Sequence, residues 1–251
     1  MKTSFLPSIK DQVQGPSGFC LLKLEPSELE RIRELIRDQW LYRVLLLSPV
    51  SVKQFAAAGI SRYHELAHLL DQKIAWPKTA RILSPSAVDE IRNFSFMKQL
   101  KITFGEFVIS DEEEIGWEEI YWRIVRPGSS DIGPLHADGW FWDAGHGKMP
   151  EGYERIKVWI AIHCEKGLNG LKIVPGSHLK NDWRYHLEDR DGFLKPQIDE
   201  DEKDLNVQLT PTEPGDAVVF HDRLLHGGAA NQARTTRVSL EFTMLVKKQL
   251  L

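Results

Sequence analysis

The chain has 251 residues, of which 42% are hydrophobic and 27% are charged, a composition typical of a folded domain. Its formal net charge is −4, from 32 basic and 36 acidic residues, so no basic field is available to bind nucleic acid. No run approaches the roughly 20 apolar residues that span a bilayer, the first seven residues lack a signal-peptide core, and only two cysteines occur. We therefore expect a protein of the reducing cytoplasm with a small-molecule partner.

Residues 1–100 are predicted to be mostly helical. Pro26 and Glu28 favour a helix start, because proline fits the first turn and an acidic side chain complements the helix dipole there. Apolar residues then recur at helical spacing, at Leu29, Ile32, Leu35 and Ile36. Further helices are predicted at Val52–Ala58, at Tyr63–Leu70 and from Ser86, where Ser86-Ala87-Val88-Asp89 matches a capping pattern.

Residues 101–251 are predicted to form a β core. Short runs of β-branched and aromatic residues alternate with Pro-Gly, Asn-Gly and Gly-Gly turns. The predicted strands are Ile102–Ile109, Glu119–Val125, Ile156–Ile162, Leu171–Val174, Ala217–Phe220 and Thr236–Val246. Many short strands of this kind are typical of a sandwich or barrel, the class that includes the double-stranded β-helix. We predict one mainly β domain over residues 1–251, with the N-terminal helices packed on its core.

His136-Ala137-Asp138 places two potential metal ligands at positions i and i+2. On an extended strand alternate side chains lie on one face, so both could reach one ion while the small Ala137 points away. Taken alone, the pattern fits equally well a hydrogen-bonded histidine followed by a turn aspartate. A further imidazole would complete a two-histidine, one-carboxylate set, which suits Fe(II) and leaves open positions on the metal.

His226 is the predicted third ligand, with His221 as its rival. Only His226 stands eleven residues before an arginine, Arg237. The two glycines that follow it, Gly227 and Gly228, would allow another segment of backbone to approach closely.

Arg237 and Ser239 alternate on the last predicted strand and should therefore face the same way. A guanidinium group buried inside a barrel is costly unless it is paired. A dicarboxylate would pair it through a planar two-point fork, with the Ser239 hydroxyl as a second donor. The alternative is an internal ion pair with Glu241.

Taken together, these residues resemble the phytanoyl-CoA dioxygenase-like family of iron(II)- and 2-oxoglutarate-dependent oxygenases, over roughly residues 119–246. The resemblance rests on several ordered motifs: Pro134-Leu135-His136-Ala137-Asp138, Val158-Trp159-Ile160-Ala161-Ile162, Asn169-Gly170-Leu171-Lys172-Ile173-Val174-Pro175-Gly176-Ser177-His178, Pro214-Gly215-Asp216 and the segment from His221 to Ser239.

The resemblance implies a double-stranded β-helix that uses Fe(II), 2-oxoglutarate and O2. By similarity, the iron ligands would be His136, Asp138 and His226. The distal carboxylate of 2-oxoglutarate would be bound by Arg237 and Ser239, and its site would be lined by Trp159 and Trp122. Both tryptophans are equally compatible with plain core positions.

The segment after Asp138 departs from the family pattern. Gly139-Trp140-Phe141-Trp142-Asp143 and the stretch that continues to Tyr153 are predicted to form an extended aromatic loop. Beside the open metal positions, Trp140, Phe141, Trp142 and Tyr153 would contact substrate as part of a lid. Alternatively, their rings would pack onto the barrel.

The resemblance implies hydroxylation of an unactivated carbon, with release of succinate and CO2. The presence of Asp138 favours hydroxylation, desaturation or ring closure over halogenation, because related halogenases have a small residue in its place. The aromatic rings favour a polar natural product or carbohydrate, and no basic cluster for the phosphates of an acyl-CoA is evident. Two alternatives stay open: a non-catalytic cupin-like binding protein, and a cupin-type isomerase or hydrolase with another divalent ion.

Overall fold

A computed structural model describes residues 8–129, 131–190 and 193–248 of the chain. The N-terminal residues, for which no signal peptide is predicted, lie outside the described residues. Within the described ranges, no helix combines the length and the apolar character that a membrane span requires.

Eight α-helices are present in the part of the chain that the structure describes, most of them before residue 105. They are α1 (Ile9–Gln14), α2 (Pro26–Leu47), α3 (Val52–Ala58), α4 (Tyr63–Leu66), α5 (Gln72–Ala75), α6 (Pro85–Arg92), α7 (Ser95–Phe104) and α8 (Asp138–Asp143). The helical prediction for the first hundred residues agrees with this arrangement, and α2 and α3 begin where the sequence predicts.

Three helix boundaries differ from the prediction. The helix predicted at Tyr63–Leu70 is the shorter α4, which ends at Leu66 and is followed by a 3-10 turn at Ala67–Leu69. Helix α6 is capped by Ser84, which accepts a hydrogen bond from the Ala87 amide, and Pro85 occupies its first turn. The predicted cap, Ser86, lies inside the helix. Helix α7 continues to Phe104, so the strand predicted from Ile102 starts only at Phe107. The cause is the burial of Leu100 and Phe104 at helical spacing while Ile102 stays exposed.

Eleven strands lie within the described residues. They are β1 (Phe19–Lys23), β2 (Phe107–Ile109), β3 (Tyr121–Val125), β4 (Tyr153–His163), β5 (Leu171–Ile173), β6 (Tyr185–Arg190), β7 (Phe193–Ile198), β8 (Gln208–Leu209), β9 (Asp216–His221), β10 (His226–Gly228) and β11 (Arg237–Lys247). The major sheet has the order β1-β9-β4-β11-β2, with β3 also paired to β11, and the minor sheet has the order β10-β5-β8. All these pairings are antiparallel.

The two faces of the major sheet are buried in different ways. On one face, alternate residues such as Val158 and Leu240 join Ile32 and Trp40 of α2 in the largest hydrophobic cluster. On the opposite face, Trp159 joins a second cluster with residues of the minor sheet. The helices therefore cover the outside of the major sheet, and the minor sheet covers its inside. Two antiparallel sheets packed in this way confirm the predicted jelly-roll class of core.

Candidate metal centre

His136 and His226 are held together by a reciprocal backbone bridge. The amide of each residue donates to the carbonyl of the other, at 3.0 and 2.9 Å, and the ring centroids are 4.6 Å apart. The bridge joins the segment before α8 to the start of β10. Two residues that are ninety positions apart in the sequence therefore present their rings side by side.

The Nδ1 atoms of both rings face main-chain carbonyls. Nδ1 of His136 is 2.9 Å from the Pro134 carbonyl oxygen, and Nδ1 of His226 is 2.9 Å from the Leu224 carbonyl oxygen. A carbonyl oxygen only accepts, so each Nδ1 must carry the proton and donate it. In the neutral form of each ring, Nε2 then keeps its lone pair, which is the state that a metal ion requires.

Asp138 completes the cluster. Its Oδ1 atom is 3.7 Å from Nε2 of His136 and 3.7 Å from Nε2 of His226, and potential ligand atoms of all three residues lie within 4.8 Å of one another. The sequence predicts that Asp138 lies on an extended strand with His136, but Asp138 is instead the first residue of α8. Ala137 is extended, so the two side chains still converge. His221, the rival ligand, instead lies 3.2 Å from Asp222 Oδ1 and packs beside His178.

The protonation states of His136 and Asp138 suit metal binding. Burial, together with the charge of His226, lowers the pKa of His136 to about 3, so this ring is neutral above that pH. Burial alone would raise the pKa of Asp138, but the charge of Lys157 and then those of the two histidines outweigh it and hold this pKa below its ordinary value. Near neutral pH, His136 therefore offers a neutral nitrogen and Asp138 an ionised carboxylate.

Lys157 is the neighbour of this centre that the sequence reasoning missed. Its Nζ atom is 3.5 Å from Asp138 Oδ2, which is buried and makes no hydrogen bond within the described residues. Lys157 itself is buried on the inner side of β4, two residues before Trp159. A signal was present: a lysine among apolar residues of a buried strand needs a partner.

Arg237 lies at the start of β11 with its side chain buried. Its Nη1 atom donates to the carbonyls of Gly170 and Ala229, while its buried Nε atom has no partner within the described residues. Burial lowers its pKa to about 10, so it remains a cation. The predicted alternative, an ion pair with Glu241, is not formed, because Glu241 binds Arg123 at 3.0 Å and Tyr121 at 2.9 Å.

Ser239 and Trp159 lie on the inner face of the sheet as predicted, but Trp122 does not. Ser239 is fully buried, and its hydroxyl is 3.4 Å from Glu241 Oε1. Trp159 packs in the inner cluster with Phe220, whose ring is 4.6 Å from that of His226. Trp122 faces the helices, where its Nε1 donates to Gln39 of α2 at 2.9 Å. The structure thus keeps Trp122 on the far side of strand β3.

The aromatic segment after Asp138 forms the short helix α8 where the sequence predicts an extended loop. Trp140 is buried and stacks on Tyr185 at 4.4 Å, so it anchors the helix. Phe141 lies edge-on to the His136 ring at 5.4 Å, and Trp142 packs beneath the guanidinium of Arg155 at 4.5 Å. Tyr153 is half-buried at the start of β4. Of these four described side chains, only Phe141 packs against the ring of a candidate metal ligand.

The family profile described as phytanoyl-CoA dioxygenase (PhyH) matches residues 17–239. The match takes in the helices from α2 to α8, the strands from β1 to β10, the first three residues of β11 and all the candidate site residues named above. No curated protein sequence matches the chain.

Several solved structures share the fold at low sequence identity. EvdO2 from Micromonospora carbonacea var. aurantiaca, complexed with 2-oxoglutarate, is 15% identical over 95% of this chain and 89% of its own, with a TM-score of 0.57. EctD from S. alaskensis, with 2-oxoglutarate and 5-hydroxyectoine, is 12% identical over 98% of this chain and 78% of its own, with a TM-score of 0.58. The α-ketoglutarate-dependent carbocyclase SnoK from nogalamycin biosynthesis is 12% identical over 95% and 83% of the two chains, with a TM-score of 0.55.

Proposed function

Because the chain belongs to the phytanoyl-CoA dioxygenase family of iron(II)- and 2-oxoglutarate-dependent oxygenases, we propose that it hydroxylates an unactivated carbon of a small polar molecule. The proposal rests on one observation above all. Nε2 of His136, Nε2 of His226 and Oδ1 of Asp138 converge, while the other nitrogen of each ring is occupied by a carbonyl. These three atoms are the proposed iron ligands, because such a donor set suits Fe(II) and leaves part of its coordination sphere open.

Arg237 is the proposed anchor for the distal carboxylate of 2-oxoglutarate. It is a buried cation without a carboxylate partner among the described residues, and a buried cation of this kind is costly until an anion pairs with it. The Nη2 atom of Arg237 lies beside Gly228, and Gly228 is only two residues after His226. The anchor and a proposed metal ligand are therefore close together. The hydroxyl of Ser239, two residues along β11, is the proposed second donor.

Each side chain has a separate task in this proposal. When bound, iron(II) with 2-oxoglutarate and O2 would supply the oxidising power for hydroxylation, with release of succinate and CO2. Asp138 and the two histidines hold the metal, and the carbonyls behind the rings fix their orientation. Lys157 holds the second oxygen of Asp138, and Trp159 with Phe220 excludes water from the inner wall.

The proposed substrate is a polar natural product or carbohydrate, approached from the side of α8. Asp138 is 14% and His136 is 19% exposed, whereas His226 is 6% exposed, so the open side of the centre faces the first two. Phe141 offers a flat face beside His136. Oxidative ring closure by the same site is the second candidate, since SnoK is a carbocyclase of similar fold.

The proposal is tested by metal binding and by succinate formation in paired variants. We expect His226→Ala to lose iron and all succinate formation from 2-oxoglutarate, because the third ligand is gone. We expect the matched variant His221→Ala to keep iron, because His221 lies outside the centre. Equal iron content in the two variants would refute the ligand assignment, and iron binding without any 2-oxoglutarate turnover would favour a binding protein.

A further inference from the structure

A cavity lies beside strand β3. It has a volume of about 200 Å³ and is bounded by β3, by the segment from α4 to Arg81 and by the loop after β3. Three guanidinium groups line it, from Arg81, Arg123 and Arg126, with one carboxylate, that of Asp131. The described side chains that line it include none assigned above to the metal or to 2-oxoglutarate.

The three arginines differ in what they bind. Arg126 makes a two-point ion pair with Asp131, at 2.8 and 2.7 Å. Arg123 reaches inward, and its Nε is 3.0 Å from Glu241 Oε1. Arg81 donates only to main-chain carbonyls, those of Trp76 at 3.1 Å and Trp122 at 2.6 Å, and has no carboxylate within ion-pair distance among the described residues.

Arg81 is therefore the cation of this cavity that lacks a counter-ion. Burial, and then the neighbouring charge of Arg123, lower its pKa to about 10, so it is still charged at neutral pH. Two like charges beside one cavity disfavour each other, and an anion placed between them would remove that cost. Its Nη2 atom has no hydrogen-bond partner among the described residues and can donate to an oxygen of a carboxylate or phosphate group.

The opposite wall of the cavity is aromatic and held in place. Trp76 Nε1 donates to the Tyr63 hydroxyl at 2.6 Å, and that hydroxyl donates to Gln72 Oε1 at 2.5 Å. The ring of Trp76 also packs against Tyr63 and Trp122 at 5.8 and 5.5 Å. Because these polar atoms are already satisfied, the wall offers an ordered apolar surface beside the arginines.

We propose that this cavity is a binding site for an anionic ligand, with Arg81 as its main contact for a carboxylate or phosphate group. At roughly 30 Å³ for each water molecule, the cavity has room for such a group and a short carbon skeleton. The skeleton would lie against Trp76 and Tyr63. The site does not depend on the proposed oxygenase activity. It also supplies the basic cluster that is not evident in the sequence, since Arg81 and Arg123 are 42 residues apart.

The test is calorimetric titration of the metal-free protein with inorganic phosphate and, separately, with acetate, at constant ionic strength. We expect saturable binding of at least one anion, weakened about tenfold or more in Arg81→Met, because a charge-assisted contact is lost. Arg37→Met is the matched control. It removes the same charge from an exposed arginine of α2 and should leave binding unchanged.

A second variant tests the site in the opposite direction and does not depend on the folding of Arg81→Met. Asp131→Asn removes the only carboxylate among the lining residues that the structure describes, so it should tighten anion binding. Preference for phosphate over acetate would indicate a phosphorylated ligand, and the reverse would indicate a carboxylate. The proposal is overturned if neither anion binds saturably, or if Arg81→Met and Arg37→Met behave alike.

Discussion

At the scale of single residues, Arg237 is a buried cation that a bound anion would stabilise. We expect Arg237→Met to weaken 2-oxoglutarate binding by roughly 10- to 150-fold, the range for losing a charge-assisted hydrogen bond. Metal affinity should stay within about twofold, because Arg237 contacts no candidate ligand. Both affinities can be measured by titration under anaerobic conditions.

The control for this substitution is Arg234→Met, which removes the same charge three residues earlier. Arg234 is exposed in the loop before β11, so its loss should leave 2-oxoglutarate affinity nearly unchanged. If both variants weakened 2-oxoglutarate binding equally, the cause would be the loss of positive charge in general and not the loss of a specific contact with Arg237. If neither did, Arg237 would be a purely structural cation bound to the carbonyls of Gly170 and Ala229.

Helix α8 holds a second aspartate, Asp143, which serves as a control for Asp138. Comparing the two substitutions distinguishes the loss of a metal ligand from the loss of any acidic residue of the helix. Asp138→Ala should remove iron binding, since it deletes one of three ligands and leaves Lys157 buried without its carboxylate. Asp143→Ala, at the exposed end of α8, should keep iron. Metal content after dialysis distinguishes the two. Retention of iron by Asp138→Ala would remove this residue from the ligand set.

At the scale of elements, the close approach of β10 to β11 brings Arg237 near the metal ligands. A Cβ atom on Gly228 would lie 3.0 Å from Arg237 Nη2, so Gly228→Ala should displace the guanidinium and not the backbone. We expect weaker 2-oxoglutarate binding with unchanged metal binding. In the Arg237→Met variant, adding Gly228→Ala should cause no further loss of 2-oxoglutarate affinity. An equal effect in both backgrounds would mean that Gly228 acts through some other contact.

The long helices and strands can be predicted from the sequence, whereas the short elements with few apolar residues cannot. Helix α2 and strand β11 carry an apolar period, so the start of α2 and both ends of β11 are predicted within one position. Strand β10 has only three residues, two of them glycine, and its position is set by pairing with β5. Helix α8 is set by contacts distant in sequence, such as Trp140 on Tyr185, and local pattern favours a loop there.

The residues of the candidate site also differ in how far the sequence predicts them. His136, Asp138 and His226 could be predicted because the spacing of motifs carries their identity. A lysine in a buried strand indicates that Lys157 needs a partner, but folding alone identifies that partner as Asp138 and brings Arg81 beside Arg123. Trp122 shows the converse, since a one-residue step along β3 places a ring on the helix side of the sheet and out of the site.

At the scale of the whole molecule, the helical layer is held to the major sheet partly through the end of β4. Arg33 of α2 donates from Nε and Nη2 to the Ile162 carbonyl, at 3.2 and 2.8 Å, and pairs with Glu30 at 2.5 Å. The next residue, His163, lies partly buried beneath this helix. Burial, and then the charge of Arg33, lower the pKa of His163 to about 4.

This histidine should make the stability of the metal-free protein depend on pH. In the unfolded chain its pKa is near 6.5, so between about pH 4 and 6.5 the unfolded state binds more protons than the folded state. The free energy of unfolding therefore falls as the pH drops through 6.5. For His163 alone the loss by pH 5 should be about 1–2 kcal/mol. Urea unfolding at pH 7.5 and pH 5.0 measures it.

The variant His163→Gln isolates this contribution, because glutamine keeps a polar side chain at the end of β4 but does not titrate. It should lose about 1–2 kcal/mol less than the parent between the two pH values, while every other titrating group, His136 included, contributes equally to both proteins. If the two proteins lost the same amount, His163 would carry its ordinary pKa in the fold. The packing of α2 over the end of β4 would then be looser than the Arg33 contacts indicate.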